Sequence, residues 1–411
     1  QSGGFPSRRS RVRAPSVAQV VAMIKNFLLK GNMVLMAVFP LFFSLSTCLS
    51  AASAQPSASD GFSEYRVFGP GDENSFWRIP AILCLDDGTL IIACDRRKND
   101  EGDLPHDIDV VVCRSGDNGR TWSSPLTVAC GEGYGRGYGD AALVQCENGD
   151  ILCTFAGAGG FWNSTAENPI RTYMCRSRDR GRTWTAPSDI TDQLWGDRAM
   201  KEECREYRGS FNASGNGLLL RNGKNKGRVM FVAAMCHKDV WRADNYAVYT
   251  DDCGISWHLS GVAYMGGDEA KTVQLPDGRL LMSIRQNGAR GFAWSSDGGD
   301  SWHAQGRWDD MKTNACNGDM LLLDTFDNKA GVLLHSLPSS MEREDVSVFV
   351  SYDGGATWPQ HAVLVEGPSA YSSMTRLADG TVAVFVEKLV DGKTELWFQN
   401  FTLDWLKSAL H

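Results

Sequence analysis

Five eight-residue segments share one pattern: Ser115–Trp122, Ser177–Trp184, Thr250–Trp257, Ser295–Trp302 and Ser351–Trp358. Each reads Ser or Thr, any residue, Asp, any residue, Gly, any residue, Thr or Ser, and Trp. The chemistry is that of a tight β-hairpin. Asp caps the turn, Gly accepts a positive φ, and Trp buries a large ring beside it. The copies lie at intervals expected of propeller blades. Such a repeat dictates a fold and carries no reaction of its own, so function has to come from residues outside it.

Short apolar runs recur between the boxes, among them Leu90–Cys94, Ile151–Phe155, Leu280–Ile284 and Val382–Glu387. Turn pairs separate them: Asp87-Gly88, Asn148-Gly149, Asp277-Gly278 and Asp379-Gly380. Strand, turn, strand, then strand, box, strand is a four-stranded blade. Five boxes plus one blade without a box predict an all-β, six-bladed β-propeller with Asp-box hairpins. A helix is expected only at Leu403–Leu410. A propeller brings loops from every blade to one end of a central channel. A site scattered along the sequence is therefore expected.

The first 54 residues read as a leader. Arg8, Arg9, Arg11 and Arg13 mark a polar basic start, Met33–Leu49 is nearly all apolar, and Ala52-Ser53-Ala54 offers a small-residue cleavage site. That is the layout of a secretory signal peptide, with Met23 or Met33 as alternative starts. The expectation is a secreted or periplasmic protein cleaved near Ala54, meeting a membrane only transiently through that peptide. Residues 55–411 would then form one propeller domain. Net charge is −8, which gives no electrostatic footprint for nucleic acid. The 12 cysteines show no C-x-x-C pair and no zinc-ligand spacing, so no metal and no cofactor is expected. Removing Cys48 with the leader leaves an odd number, and hence at least one free thiol or an intermolecular bridge. Single cysteines on strands, such as Cys94 and Cys153, read as small core residues. Asn163, Asn212 and Asn400 begin N-glycosylation sequons. Gly131–Asp140 reads as a flexible loop at the channel mouth.

Trp77-Arg78-Ile79-Pro80 precedes the first strong strand. Together with the boxes this tetrapeptide resembles the arginine signature of bacterial-type sialidases (neuraminidases), and the resemblance runs from Arg78 to Glu387. It implies an exo-α-sialidase acting on sialylated glycans. Three arginines would clamp the sugar carboxylate: Arg78, Arg285 on an inner strand, and Arg343. Arginine suits this task because its planar fork is bidentate and permanently charged. Glu387 would hold Arg78, and Arg97 would touch the far side of the sugar. Phe161 and Trp162 either line a pocket for the N-acetyl group or stand as exposed loop aromatics.

The resemblance also assigns the chemistry. Asp103 would be the general acid, partly shielded so that it starts protonated. Tyr371 would be the nucleophile and Glu269 its base, with strand alternation turning Glu269 and not Asp268 toward the channel. A phenol nucleophile is the exception among retaining glycosidases. A carboxylate there would face the carboxylate of sialic acid, costing about 4 kcal/mol at about 4 Å for an effective dielectric of about 20. Without the resemblance each residue has a plainer reading. Arg343 between Glu342 and Glu344 is a surface ion pair, Asp103 an acidic loop residue, Tyr371 a packing aromatic, and Glu387 a strand-end acid. A trans-sialidase and a non-catalytic sialoglycan-binding propeller are the rival functions.

Overall fold

The computed structural model describes residues 57–70 and 75–411, so the predicted signal peptide and cleavage site lie outside the described residues. Strand pairing sorts into four-stranded antiparallel groups. The first comprises Ser75–Cys84, Leu90–Lys98, Ile108–Ser115 and Leu126–Ala129. The second comprises Tyr138–Gln145, Ile151–Ala158, Ile170–Ser177 and Ser188–Asp189. The third is Tyr207–Asn212, Val229–His237, Ala243–Thr250 and His258–Met265, and the fourth is Ala270–Gln274, Leu280–Ile284, Gly288–Ser295 and His303–Thr313. The fifth begins with Asp319–Phe326, Lys329–Pro338 and Glu344–Ser351. The long strand Gln360–Arg376 serves two groups. Its first half pairs with Glu344–Ser351, and its second half, from Ser369, opens the sixth group with Val382–Val390, Lys393–Phe401 and Phe62–Phe68.

The core lies between groups rather than within any one of them. Along Leu90–Lys98, Ile91 and Ala93 pack with Ala141, Leu143 and Phe155 of the second group. Their neighbours Leu90, Ile92 and Cys94 pack with Phe385 and Phe398 of the sixth. Period-two alternation thus buries both faces of the sheet, which explains why its Leu90–Cys94 run is apolar throughout. The same interleaving joins second to third, third to fourth, fourth to fifth and fifth to sixth. Six apolar layers between neighbours close a ring, the all-β propeller expected. Polar side chains fill its axis. Ser373 Oγ accepts from Ile82 N (3.3 Å) and donates to Asp319 Oδ2 (2.9 Å), while Lys271 Nζ and Asn317 Nδ2 both donate to Ser214 O.

All five boxes connect a third strand to a fourth, and their hydrogen bonds repeat. In the first, Ser115 Oγ donates to Asp117 Oδ1 (2.7 Å), Gly119 N donates to Ser115 Oγ (2.9 Å) and Thr121 N donates to Asp117 Oδ1 (2.9 Å). Gly119 has φ +82°, and a Cβ there would fall 2.4 Å from Phe398 of the neighbouring group. The sixth group has no box for a topological reason: its fourth strand, Phe62–Phe68, comes from the start of the described chain, so no hairpin joins it to Lys393–Phe401. A helix at Leu403–Ala409 follows, with Thr402 Oγ1 capping Trp405 N (3.1 Å).

Cys146 and Cys253 form a disulfide joining the second group to the third group's box, and nine free cysteines account for the rest of the described ones. The bridge closes a separation of 107 residues. Replacing both cysteines with serine is expected to lower unfolding free energy by about 2–4 kcal/mol in urea titrations. Of the three sequons, Asn212 is fully buried in a strand and cannot carry a glycan on the folded protein, while Asn400 is engaged with Thr381 Oγ1 (2.7 Å).

Candidate active site

Strands of the first, second and sixth groups are irregular at the end opposite the boxes, and the irregularities carry site residues. Register shifts between Arg78 and Ala81, between Gly139 and Ala142, and between Ser369 and Ser372. Such bulges re-aim side chains. In the first, Ile79 takes φ +60°, a costly conformation for a β-branched residue, and Pro80 needs no ladder donor. Ile79 N donates to Glu387 Oε1 (2.9 Å), which anchors the bulge. The bulge at Arg78-Ile79-Pro80 thus sets Arg78 against Glu387 and over the Tyr371 ring.

Arg78 binds Glu387 through both arms of its fork, Nε to Oε1 at 2.7 Å and Nη2 to Oε2 at 3.2 Å. Glu387 is 2% exposed and also accepts from Tyr371 N (3.3 Å). Burial works against its charge, but Arg78 and the two backbone donors keep its carboxyl below the ordinary glutamate value. It lies within Val382–Val390, the sixth group's second strand, and is no surface acid.

Tyr371 Oη donates to Glu269 Oε2 (2.8 Å) and accepts from Arg285 Nη1 (3.0 Å), and Arg285 also binds Glu269 Oε2. The guanidinium carbons of Arg78 and Arg343 lie 5.9 and 5.4 Å from the centre of the Tyr371 ring. Burial raises the Tyr371 phenol well above its usual value, and the Glu269 charge adds to this. Burial also raises Glu269, opposed by Arg285. Tyr371 is therefore held as a phenol beside the arginine-bound Glu269.

Arg285 just follows Leu280–Ile284, the second strand of its group and not the innermost; its N–H donates to Glu269 O (2.8 Å). The alternation argument for Glu269 fails for a related reason. Both Asp268 and Glu269 precede the strand Ala270–Gln274, so both line the pocket, with Asp268 Oδ2 at 3.7 Å from Arg285 Nε. Asn245 fixes this segment through its bond to Asp268 O (2.5 Å), and at Gly267 a Cβ would fall 1.8 Å from Asn245 Oδ1. Arg343 lies in the turn between Lys329–Pro338 and Glu344–Ser351 and donates to Ala315 O (3.3 Å). Among the described residues it forms no ion pair with its acidic neighbours; Glu344 takes Ser340 Oγ instead (2.9 Å).

Asp103 stands on the loop between the first group's second and third strands. Its side chain is 67% exposed, not partly shielded as expected. Oδ1 accepts from Leu104 N (2.8 Å) and Arg97 Nη2 (3.3 Å). Arg97 needs a correction too. It is 3% exposed, and its donors serve Asp95 Oδ2 (3.3 Å), Asp103 and Glu101 O (2.8 Å). In this structure it positions Asp103 from beneath instead of reaching into the open pocket.

Sequence reasoning missed Asp140 and Asp95. Asp95 extends the Ile91–Ala93 row toward the second group and accepts from Asp140 N (3.0 Å). Asp140, at φ +61°, lines the pocket with Asp103, Glu269 and Tyr371; the glycine-rich loop Gly131–Asp140 ends as part of a strand. Burial, then Asp103 and Asp95, push Asp140 well above the usual carboxylate range. Burial pushes Asp95 up to about 7, with Arg97 opposing and Asp103 adding. A run of alternating buried residues ending in Asp was the available signal. The folded protein holds the Asp95 proton more tightly than the unfolded chain does. That contribution is complete below about pH 4 and is lost as pH rises through about 7. Asp95→Asn is expected to flatten unfolding free energy between those pH values, by at most about 1.4 kcal/mol per pH unit.

The pocket's other wall is apolar: Leu104, Phe161, Trp162, Ile170 and Phe211. Phe161 packs edge-on to Phe211 (4.8 Å), and Trp162 stacks on Trp241 (4.9 Å). Of the two readings open for Phe161 and Trp162, the structure takes that of wall residues.

The propeller thus gathers three guanidiniums around a Tyr–Glu pair, in a pocket that an exposed aspartate and an apolar wall also line. Residues 88–384 match the model of the BNR repeat-like domain, and the chain belongs to that family. The sialidase of Micromonospora viridifaciens is 31% identical over 353 residues, which is 80% of this chain and 52% of that protein. A sialidase of Bacteroides fragilis is 28% identical over 78% of this chain and 61% of its own length. The chain thus spans about half to three-fifths of these relatives. The solved Hadza microbial sialidase Hz136 superposes with a TM-score of 0.73 at 27% identity, covering 84% of this chain and 69% of that one.

Proposed function

We propose that the chain is a retaining exo-α-sialidase that releases terminal sialic acid through a tyrosyl-enzyme intermediate. The observation that carries this is the Tyr371–Glu269 hydrogen bond at 2.8 Å inside the arginine cluster. Arg78, Arg285 and Arg343 take the sugar carboxylate, and the apolar wall takes the N-acyl group. Tyr371 Oη bonds to the anomeric carbon as the glycosidic C–O bond breaks. The phenolic proton goes to Glu269, and the proton of Asp103 goes to the departing oxygen. A bound sugar covers Asp103 and supplies the shielding that the free protein lacks. Water then attacks the anomeric carbon from the vacated side, giving its proton to Asp103, while Glu269 returns a proton to Tyr371. Two displacements retain configuration. The reading needs no metal or cofactor. The leader pattern supports export to the periplasm or medium.

The test is proton NMR of the first sugar released from a sialoside. The α anomer at early times is expected. An initial β anomer overturns the double displacement, and release of a dehydrated or transferred sugar in place of free sialic acid favours the transferase reading. Binding without any turnover favours a lectin.

A further inference from the structure

Arg290 is the chain's anomaly. It is 0% exposed, and no carboxylate forms an ion pair with it among the described residues. A guanidinium buried without a counter-ion is expensive. Its Nε donates to Ser283 Oγ (2.7 Å), and Nη1 donates to Cys316 O (2.6 Å), while Nη2 has no hydrogen-bond partner. Ser283 Oγ, which accepts from Arg290, also shares a hydrogen bond with His335 Nε2 (2.7 Å). Burial, with Arg290's charge, depresses His335 strongly, so this histidine is neutral and brings no second charge to the cluster. Nothing in this chain of contacts neutralises the arginine.

What Arg290 holds is the segment Asn314–Asn317. That segment touches the site twice. Ala315 O accepts from Arg343 Nη2 (3.3 Å), and the Cys316 side chain is buried against Tyr371 and Ile79. Asn317 ties its far end to Ser214 on the axis (3.0 Å). Ser283, the other residue Arg290 holds, lies two positions before Arg285 on the same chain. One buried cation thus braces the supports of a clamp arginine, of the second clamp arginine and of the phenol. We propose that Arg290 is a positioning residue of this site: through Cys316 O and Ser283 Oγ it sets the placement of Arg343, Tyr371 and Arg285, and its unpaired charge is kept for that purpose at the expense of stability. The assignment rests on the sialidase reading for its kinetic consequence but not for its structural one.

Arg290→Met and Arg290→Lys separate the possibilities. Met fills similar space without the charge, so its melting temperature should stay close to that of the wild type or rise. Its kcat/KM on a fluorogenic sialoside should fall about 10–100-fold, as expected when reacting groups are misplaced. Lys, which can still reach one acceptor, should recover part of the loss. Hydrogen–deuterium exchange should quicken in the peptide containing Asn314–Asn317 and stay unchanged in the box hairpins. A Met variant with wild-type kinetics and wild-type exchange at that segment overturns the proposal. So does one whose melting temperature drops and whose exchange rises everywhere, since that is ordinary core damage. Should the wild type cleave no sialoside, the functional reading falls, and the exchange pattern alone decides the role of Arg290.

Discussion

Tyr371→Phe is expected to fold as the wild type does and to turn over a fluorogenic sialoside more slowly by about 10³-fold or more. The ring stays, so its packing against Cys316 and Ile79 is retained. The only atom removed is the oxygen that meets Glu269 and Arg285 at 2.8 and 3.0 Å. Deleting it leaves the arginine cluster free to bind the substrate carboxylate, so KM should change far less than kcat. Glu269→Gln should give a similar loss for a different reason. The phenol keeps its place, but its proton has nowhere to go, and burial already disfavours the phenolate. Steady-state kinetics with circular dichroism checks both variants. Wild-type kcat in Tyr371→Phe would remove the nucleophile from the mechanism. A loss confined to KM would make Tyr371 a binding residue.

The fold was legible because its signals are local. Asp117, Gly119 and Trp122 act within one hairpin, and the Ile91–Ala93 alternation acts within one strand. Each is complete in a window of fewer than ten residues. The site was legible only through family resemblance at Arg78, Arg285, Tyr371 and Glu269, because its geometry is made by bulges. Nothing in Arg78-Ile79-Pro80 read alone announces a positive φ at Ile79 anchored by a carboxylate 308 positions away. The same limit explains the errors. Alternation cannot choose between Asp268 and Glu269, because neither is in the strand Ala270–Gln274. A contact of Arg97 with the sugar's far side is expected from the resemblance, yet Arg97 shares the buried row of Asp95. Asp140 was passed over because a glycine-rich stretch reads as loop until its last residues are seen to pair with Ala156 and Gly157.

Glu387→Gln carries the largest expected effect on stability. The substitution preserves volume but leaves Arg78 without a counter-ion in a site where the carboxylate is 2% exposed, and it weakens the acceptor for Ile79 N and Tyr371 N. Breaking a buried pair from one side costs about 3–5 kcal/mol. The pH dependence has a definite sign. The folded protein keeps Glu387 below its ordinary value, so its contribution is present above about pH 4.5 and fades as pH falls through the folded value. The variant should therefore lose stability at neutral pH and show a shallower acid limb. Activity should fall as well, because the Ile79 bulge and the Tyr371 backbone share that carboxylate. Adding Arg78→Met to Glu387→Gln removes the orphaned charge and should restore much of the stability while restoring none of the activity. Urea titrations of the two singles and the double decide the matter. Additive losses would mean that the two residues do not act as a pair, and the clamp would then need another anchor for its first arginine.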